Sequence, residues 1–544
     1  MKFYQILICI ALMAGISRAQ TGLGGTVTDA QNKPLEAVHI VNQKGKSHAH
    51  SNELGRFFLT NTSVGDSLEI NLLGYASRTV VAEPDMIIRL EEKQIRLDEV
   101  VIEQSLNPLS IVSEVDLLTR PVNSSQDLLR TVPGLIIGQH AGGGKAEQIF
   151  LRGFDIDHGT DIAISVDGMP VNMVSHAHGQ GYSDLHFLIP ETIEQIDFGK
   201  GPYRADQGNF ATAGHINFQT KEDLETSLFQ LEAGQFNSRR AVAMLEMIDN
   251  EQHNLYTAME YLGSDGPFES SQLFNRMNIM GKYTGRLTNE GRMSLSVSHF
   301  SSSWDASGQI PQRAVDQGLI TRFGAIDDTE GGTTGRTSAV LQFDRAVASR
   351  TWLKNTMYYS HYQFELFSNF TFFLQNPEKG DQIKQHESRD VFGFSSELNH
   401  QLDLGSVSGL LQAGLGMRRD NSLDNYLART ANRSEILEYL QRGDIQENNL
   451  FAYANASFGV GKFEIRPGFR IDRFEFTYKD ALTTAYDPQS NSKEIISPKL
   501  NIQYQANRNL QLYLNSGKGF HSNDTRVVLA QRNDILPAAL GERI

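Results

Sequence analysis

Cysteine is almost missing from this 544-residue chain: there is one, Cys9, and none after it. Disulfides and thiolate-ligated metal are therefore excluded from nearly the whole length. Proline is scarce, 15 residues against 47 glycines, which suits many tight turns and argues against a collagen-like or disordered chain. Basic residues are outnumbered, 49 Lys and Arg against 64 Asp and Glu, for a net charge of -15. A nucleic-acid partner is thereby disfavoured, because phosphate contact needs a basic surface. No long block of one charge occurs, and past residue 16 there is no apolar run of helical membrane-spanning length. Any crossing of a membrane has to be made by strands.

What is present begins with "MKFYQILICIALMAGISRAQ". Lys2 precedes an apolar stretch, Phe3–Ile16, and Ser17-Arg18-Ala19 has the small-x-small character of a cleavage site. Residues 1–19 read as a secretory signal rather than an anchor, since the run is short and lacks a cationic stop. Residues 20–92 alternate short strand-like runs with turns, which predicts a small β-sandwich. Residues 93–107 form a charged linker whose segment Leu97, Asp98, Glu99, Val100, Val101 and Ile102 is extended and β-branched. Such a segment suits strand addition to a partner's sheet edge.

Residues 108–220 mix the two periodicities. Ser124 and Ser125 are N-cap candidates for a helix running through Leu128 and Leu129 to Val132-Pro133-Gly134. "EQIFLRGFD" and "DIAISVDGMPVN" read as strands, the second turning at Asp167-Gly168. From 221 to 544 the pattern changes. Phe463, Ile465, Phe469 and Ile471 fall on one face and Glu464, Arg466, Arg470 and Asp472 on the other; Leu295 and Val297 alternate with serines. Apolar residues outward and charges inward, with short turns and long polar loops, predict a transmembrane antiparallel β-barrel.

The chemistry candidates centre on histidine. His140, His158, His176, His178 and His186 place five of the 15 histidines within 47 residues, with Asp184 among them. On an extended strand His176 and His178 share a face, so metal is a weak candidate there. No HExxH pattern and no paired carboxylates stand out, which leaves a secreted metal-dependent hydrolase as a minor alternative. "GGGKA" (142–146) fails as a phosphate loop, because Gln139 stands at the first glycine position and Ala146 at the Ser/Thr position.

Taken together, "SSQDLLRTVPGL", "IFLRGFD", "ISVDGMPVN" and "IEQIDFGKGP…FATAGHINFQT" resemble the plug domain of a TonB-dependent outer-membrane receptor. The spacing of Gly25, Val27, Asp29, Pro34-Leu35, Ala37, Gly55, Phe57 and Gly74-Tyr75 is similar to the carboxypeptidase-regulatory-like domain. The resemblance implies a mainly β protein: N-terminal β-sandwich (20–92), α/β plug (108–220) and barrel (221–544). It implies a TonB-box role for Leu97–Ile102 and plug-structural roles for Arg152, Gly153, Asp167, Gly168, Gly201, Pro202 and Gly214. Arg152 is expected to be a buried link to the barrel's inner wall. His176, His178, Tyr182 and His186 become ligand-sensing candidates. About 13 strand-like runs between 221 and 544, against 22 strands in receptors of this kind, lead us to expect an incomplete barrel. The function implied is energised uptake of a scarce ligand across the outer membrane of a Gram-negative bacterium, foremost a ferric siderophore or other metal chelate. Its partners are TonB with its inner-membrane energising complex, the ligand, and outer-membrane lipid. No cofactor is called for. The alternative is a surface-binding or signalling receptor without transport.

Overall fold

The computed structural model describes residues 22–91, 111–113, 122–138, 143–529 and 540–543. Short stretches within these are excepted: 30–33, 36–37, 43, 45–46, 52–54, 61, 73–74, 76–77, 123, 156–157, 225, 251, 289–290, 349, 404–406, 484–486 and 508–509. Residues 1–19, expected as a secretory signal, and Leu97–Ile102 and His140 lie outside the described residues. The chain forms two compact units, 1–110 and 111–544.

The N-terminal unit holds two sheets. Arg56–Thr60, Gly22–Thr28 and Met86–Arg89 form one; Ser47–His50, His39–Asn42, Ser67–Asn71 and Arg78–Val81 form the other. Period-2 alternation gives each sheet one apolar face. Val27, Leu59 and Ile88 from the first meet Ile40, Leu68 and Ile70 from the second in a single core.

In the second unit, residues 111–220 build on a five-stranded sheet. Its order is Met169–Pro170, Ile162–Val166, Gly214–Thr220, Ile193–Lys200, Ile111–Ser113. Ile162 to Val166 runs parallel to Gly214 to Phe218, and Ile164, Ile196, Ile216 and Phe218 are buried between layers. Asp167 and Gly168 both take positive φ (48° and 81°), the geometry a two-residue hairpin needs. The expected helix is shorter than its apolar run: Asp127–Arg130 makes one turn, and Thr131–Gly134 is already turn. Pro133 disfavours helical backbone at Val132 and so ends it. Leu128 and Leu129 remain buried.

Around this domain runs one antiparallel sheet of 13 strands, from Leu228–Ala233 at one edge to Leu510–Gly517 at the other, each paired with its neighbour in sequence. That number agrees with the strand-like runs read from the sequence. Leu295, Val297, Phe469, Ile471 and Leu512 are exposed on the outer surface, while Arg276, Arg389 and Asp472 are buried on the inner one. At one end successive strands lie a few residues apart in sequence, with a tight turn across 461–462, and at the other they are joined by 265–273, 307–329 and 369–382. Short turns on one side and long loops on the other are the pattern of outer-membrane barrels. The inner domain's core continues onto the wall through Phe300, Val340, Tyr358 and Val391.

Candidate functional site

Met173–Ser175 and Gln180–Tyr182 form a small hairpin of the inner domain. Its turn is closed by the His176 N–H to the Gly179 carbonyl (2.9 Å) and the Gly179 N–H to the His176 carbonyl (3.0 Å). His176–Gly179 is therefore a turn and not a strand, so the two imidazoles do not share a face as strand spacing predicted. Instead the backbone N–H of His178 donates to Nδ1 of His176 (3.1 Å). That assigns the proton of His176 to Nε2, which faces the Tyr362 hydroxyl at 3.3 Å and Glu387 at 3.7 Å. Burial pushes the pKa of His176 well below 6.5, with Arg389 adding repulsion, so the ring is neutral.

Tyr182 is fully buried, and its hydroxyl accepts the Ala146 N–H (2.9 Å). Burial raises its pKa well above 10. His178 is half-buried; its ring meets His158 edge-on at 4.8 Å and its Nδ1 bonds Gln385 (3.1 Å). His186 lies apart from this hairpin. It is buried against Arg276, which donates to its Nδ1 (3.2 Å), and burial lowers its pKa despite Asp184. Of the four ligand-sensing candidates, His178 alone keeps partial exposure; the other three are packed inside. Among the described residues no three or more His, Cys, Asp or Glu side chains converge as a metal site.

What anchors the hairpin was not legible in the sequence. Arg389 donates to the Ser175 carbonyl, and the Ser175 hydroxyl donates to Glu447. The Ala177 N–H donates to Glu387 (2.8 Å), and Arg526 donates to the His176 carbonyl (2.7 Å). Thr525 contributes its N–H to Ser175 (2.8 Å) and its hydroxyl to Glu447 (2.6 Å). Arg389 also pairs with Asp420 at 2.9 Å, so one buried cation compensates several carboxylates. Glu387 and Arg389 are two apart on one strand and point inward together. They lie near the start of Ile383–Asp403, the long-loop end of the barrel.

The remaining candidates are dispersed. Arg152 and Gly153 form a positive-φ turn between Gln148–Leu151 and Phe154–Asp155, and Arg152 is exposed. The expected buried link from Arg152 to the wall is corrected accordingly: a two-residue hairpin turn points its side chains away from the core. A comparable link is made by Arg240, which holds Glu191 in two bonds of 2.7 Å and Glu260 at 2.7 Å. Asp167 accepts the Thr220 N–H (3.0 Å) and hydroxyl (2.6 Å), and its carbonyl accepts Gln342 (3.0 Å). Gly201 has φ 91°, and a Cβ there would meet the Tyr203 ring at 2.4 Å. Pro202 packs on Gly517 and Gly519, and Gly214 lies against the Gly199 carbonyl. The glycine run dismissed as a phosphate loop has another use: a Cβ on Gly144 would stand 2.0 Å from the Trp304 ring of the wall.

Three family models match the chain. One described as the TonB-dependent Receptor Plug Domain matches residues 102–215; a TonB dependent receptor-like β-barrel matches 278–533; a CarboxypepD_reg-like domain matches 23–102. Among solved structures, the ferric citrate transporter FecA in its unliganded form is similar at TM-score 0.65 and 15% identity, over 76% of this chain and 63% of that one. The ferric-catecholate import receptor Fiu from E. coli K12, closed form, is similar at 0.61 and 16%, over 79% and 68%. The siderophore receptor PiuA from Acinetobacter baumannii is similar at 0.60 and 16%, over 76% and 64%. The chain thus spans about two thirds of these proteins, and at such identities the likeness is one of fold.

Proposed function

Since the chain belongs to the TonB-dependent receptor family, we propose that it is an outer-membrane receptor taking up a scarce metal chelate, foremost a ferric siderophore. The family consists of outer-membrane β-barrel receptors of Gram-negative bacteria and not of enzymes, so the hydrolase reading falls away. The observation that carries the proposal is the hairpin 173–182, held in barrel residues at the long-loop end through Glu387, Arg389 and Arg526. A ligand settling on half-buried His178 from that side shifts the balance of these bonds, and His176, Tyr182 and His186 act behind it without touching ligand. Leu97–Ile102, at the junction of the matches to 23–102 and 102–215, is the segment to which TonB adds a strand. Work from the inner-membrane complex then moves the plug.

The test is uptake and binding of ⁵⁵Fe-loaded catecholate and hydroxamate chelates by energised cells expressing the chain. Deleting Leu97–Ile102 is expected to abolish uptake and leave surface binding intact. Uptake that survives the deletion overturns TonB coupling. Binding with no uptake in the unmodified protein establishes the non-transporting receptor instead.

A further inference from the structure

The long loops 307–329 and 369–382 meet at one buried carboxyl group, that of Glu330. Glu330 opens the strand Glu330–Ala348, and period-2 alternation turns it inward with Thr334, Arg336 and Ser338. The outward side chains of the same strand pass from Phe343, Leu341 and Ala339 to Thr337 and Thr333. Glu330 therefore lies beyond the lipid-facing band, on the long-loop side. It is 5% exposed.

Both loops touch this carboxyl. Gly308, from the first, takes φ 64°, and a Cβ on it would run into Oε1 of Glu330. The Asn369 N–H, from the second, donates to the carboxyl group. No protein group among the described residues hydrogen-bonds Oε1. Around the carboxyl the loops are tied to each other. Asp327 accepts the Thr329 N–H (2.9 Å), Nδ2 of Asn369 (2.7 Å) and Nε2 of Gln382 (3.4 Å). Arg433 donates to the carbonyls of Thr329 and Glu330 and pairs with Asp305 at 2.7 Å. Its charge is thus directed to the backbone and to Asp305, and the Glu330 carboxyl is left without a close cation of its own.

We infer that Glu330 is a proton-operated latch on the two long loops. With its carboxyl neutral the junction closes; with the carboxyl ionised the junction opens to hydrate the charge. The latch does not depend on which cargo the receptor takes.

The direction follows from what faces the group. Burial is the largest influence and raises its pKa to about 8; Asp327 adds repulsion, while the Asn369 N–H and Lys145 of the plug favour the anion. The ordinary value, which the opened junction restores, is 4.5. The closed junction therefore holds a proton that the opened one releases. Its stability is complete below 4.5, falls as pH rises to about 8, and is constant above that.

The test is hydrogen exchange of the purified full chain in detergent, followed in 307–330 and 369–382 from about pH 5.5 to about 8.5. Each rate is divided by that of unstructured peptide at the same pH. Protection is expected to fall about 10-fold per pH unit and to level off above about 8. Glu330→Gln keeps an oxygen for the Asn369 N–H and cannot ionise, so its protection is expected to stay flat over this range. Flat protection in the unmodified chain, or a slope that Glu330→Gln retains in full, overturns the latch. The first of these outcomes needs no variant and holds whether or not Glu330→Gln folds.

Discussion

The ring of His176 lies flat on the ring of Tyr182, with centroids 4.0 Å apart and planes 3° from parallel. The stack closes the hairpin turn onto its own second strand. The Tyr182 hydroxyl ties the same ring to the backbone of Ala146. Tyr182→Phe keeps the stack and strips a buried N–H of its acceptor, at a cost of about 1–3 kcal/mol. Hydrogen exchange of the Ala146 amide and of residues 173–182 is expected to quicken by roughly 10- to 100-fold. Unchanged exchange would show that the hydroxyl does not hold the hairpin.

Arg389 is the cation that the buried carboxylates Glu387, Asp420 and Glu447 share, with Arg418 a second partner of Asp420 at 2.6 Å. Arg389→Met strips Glu387 and Glu447 of this cation while Asp420 keeps Arg418, a loss of about 3–5 kcal/mol. Arg389→Lys recovers little of it, because one ammonium cannot reproduce a fork that serves Asp420, Glu387 and the Ser175 carbonyl together. Protease nicking within 173–182 reads the loosening directly.

His215 gives the plug a pH response. Burial pulls its pKa to about 4, Arg204 pushes the same way, and Asp197 and Asp206 oppose. The folded protein holds the ring neutral, whereas the unfolded chain takes up the proton near pH 6.5. This part of the stability is complete above 6.5, drains as pH falls toward 4, and is constant below that. Its size is on the order of 3 kcal/mol. Denaturant melts from pH 7 to 4 are expected to show the loss. His215→Gln flattens part of the slope, and His176 and His186, shifted in the same direction, keep the rest.

Gly144→Ala sets a methyl group into the Trp304 ring, and overpacking of this kind costs about 1–3 kcal/mol. Trp304→Leu should relieve it. A double-mutant cycle read by plug stability is expected to give a coupling of about 0.5–3 kcal/mol, and additive effects would rule out the contact.

Val297 faces outward in the middle of Gly291–Ala306. Val297→Arg is expected to cost about 2–4 kcal/mol when the barrel refolds into lipid vesicles, and Val297→Leu close to nothing. Equal refolding yields for the two would remove this face from the membrane.

The wall was the most legible part of the molecule, because alternation such as Phe463 to Asp472 repeats one physical rule over many residues. The Asp167-Gly168 turn was legible for a local reason: both positions need positive φ, and those residue types supply it. The helix at 127 was placed correctly and drawn too long, since apolar periodicity does not reveal how strongly Pro133 interrupts it. His176 and His178 misled because strand spacing was assumed for a pair that sits in the turn closed by Gly179. The hairpin's anchors were out of reach: Ser175 is 214 positions from Arg389 and 350 from Thr525, and no local pattern encodes such contacts. Arg152 failed in the opposite sense, an eye-catching charge in a motif whose position in the turn leaves it in solvent.

The strands of the wall differ greatly in length. Val407–Ala431 and Glu435–Val460 run 25 and 26 residues, whereas Arg239–Asp249 and His253–Ser264 run 11 and 12. At about 3.3 Å per residue and a tilt near 45°, the difference amounts to about 30 Å of height. The mouth is therefore a ramp, with a parapet above Glu387 and Glu447 and a low sill on the side of Glu260.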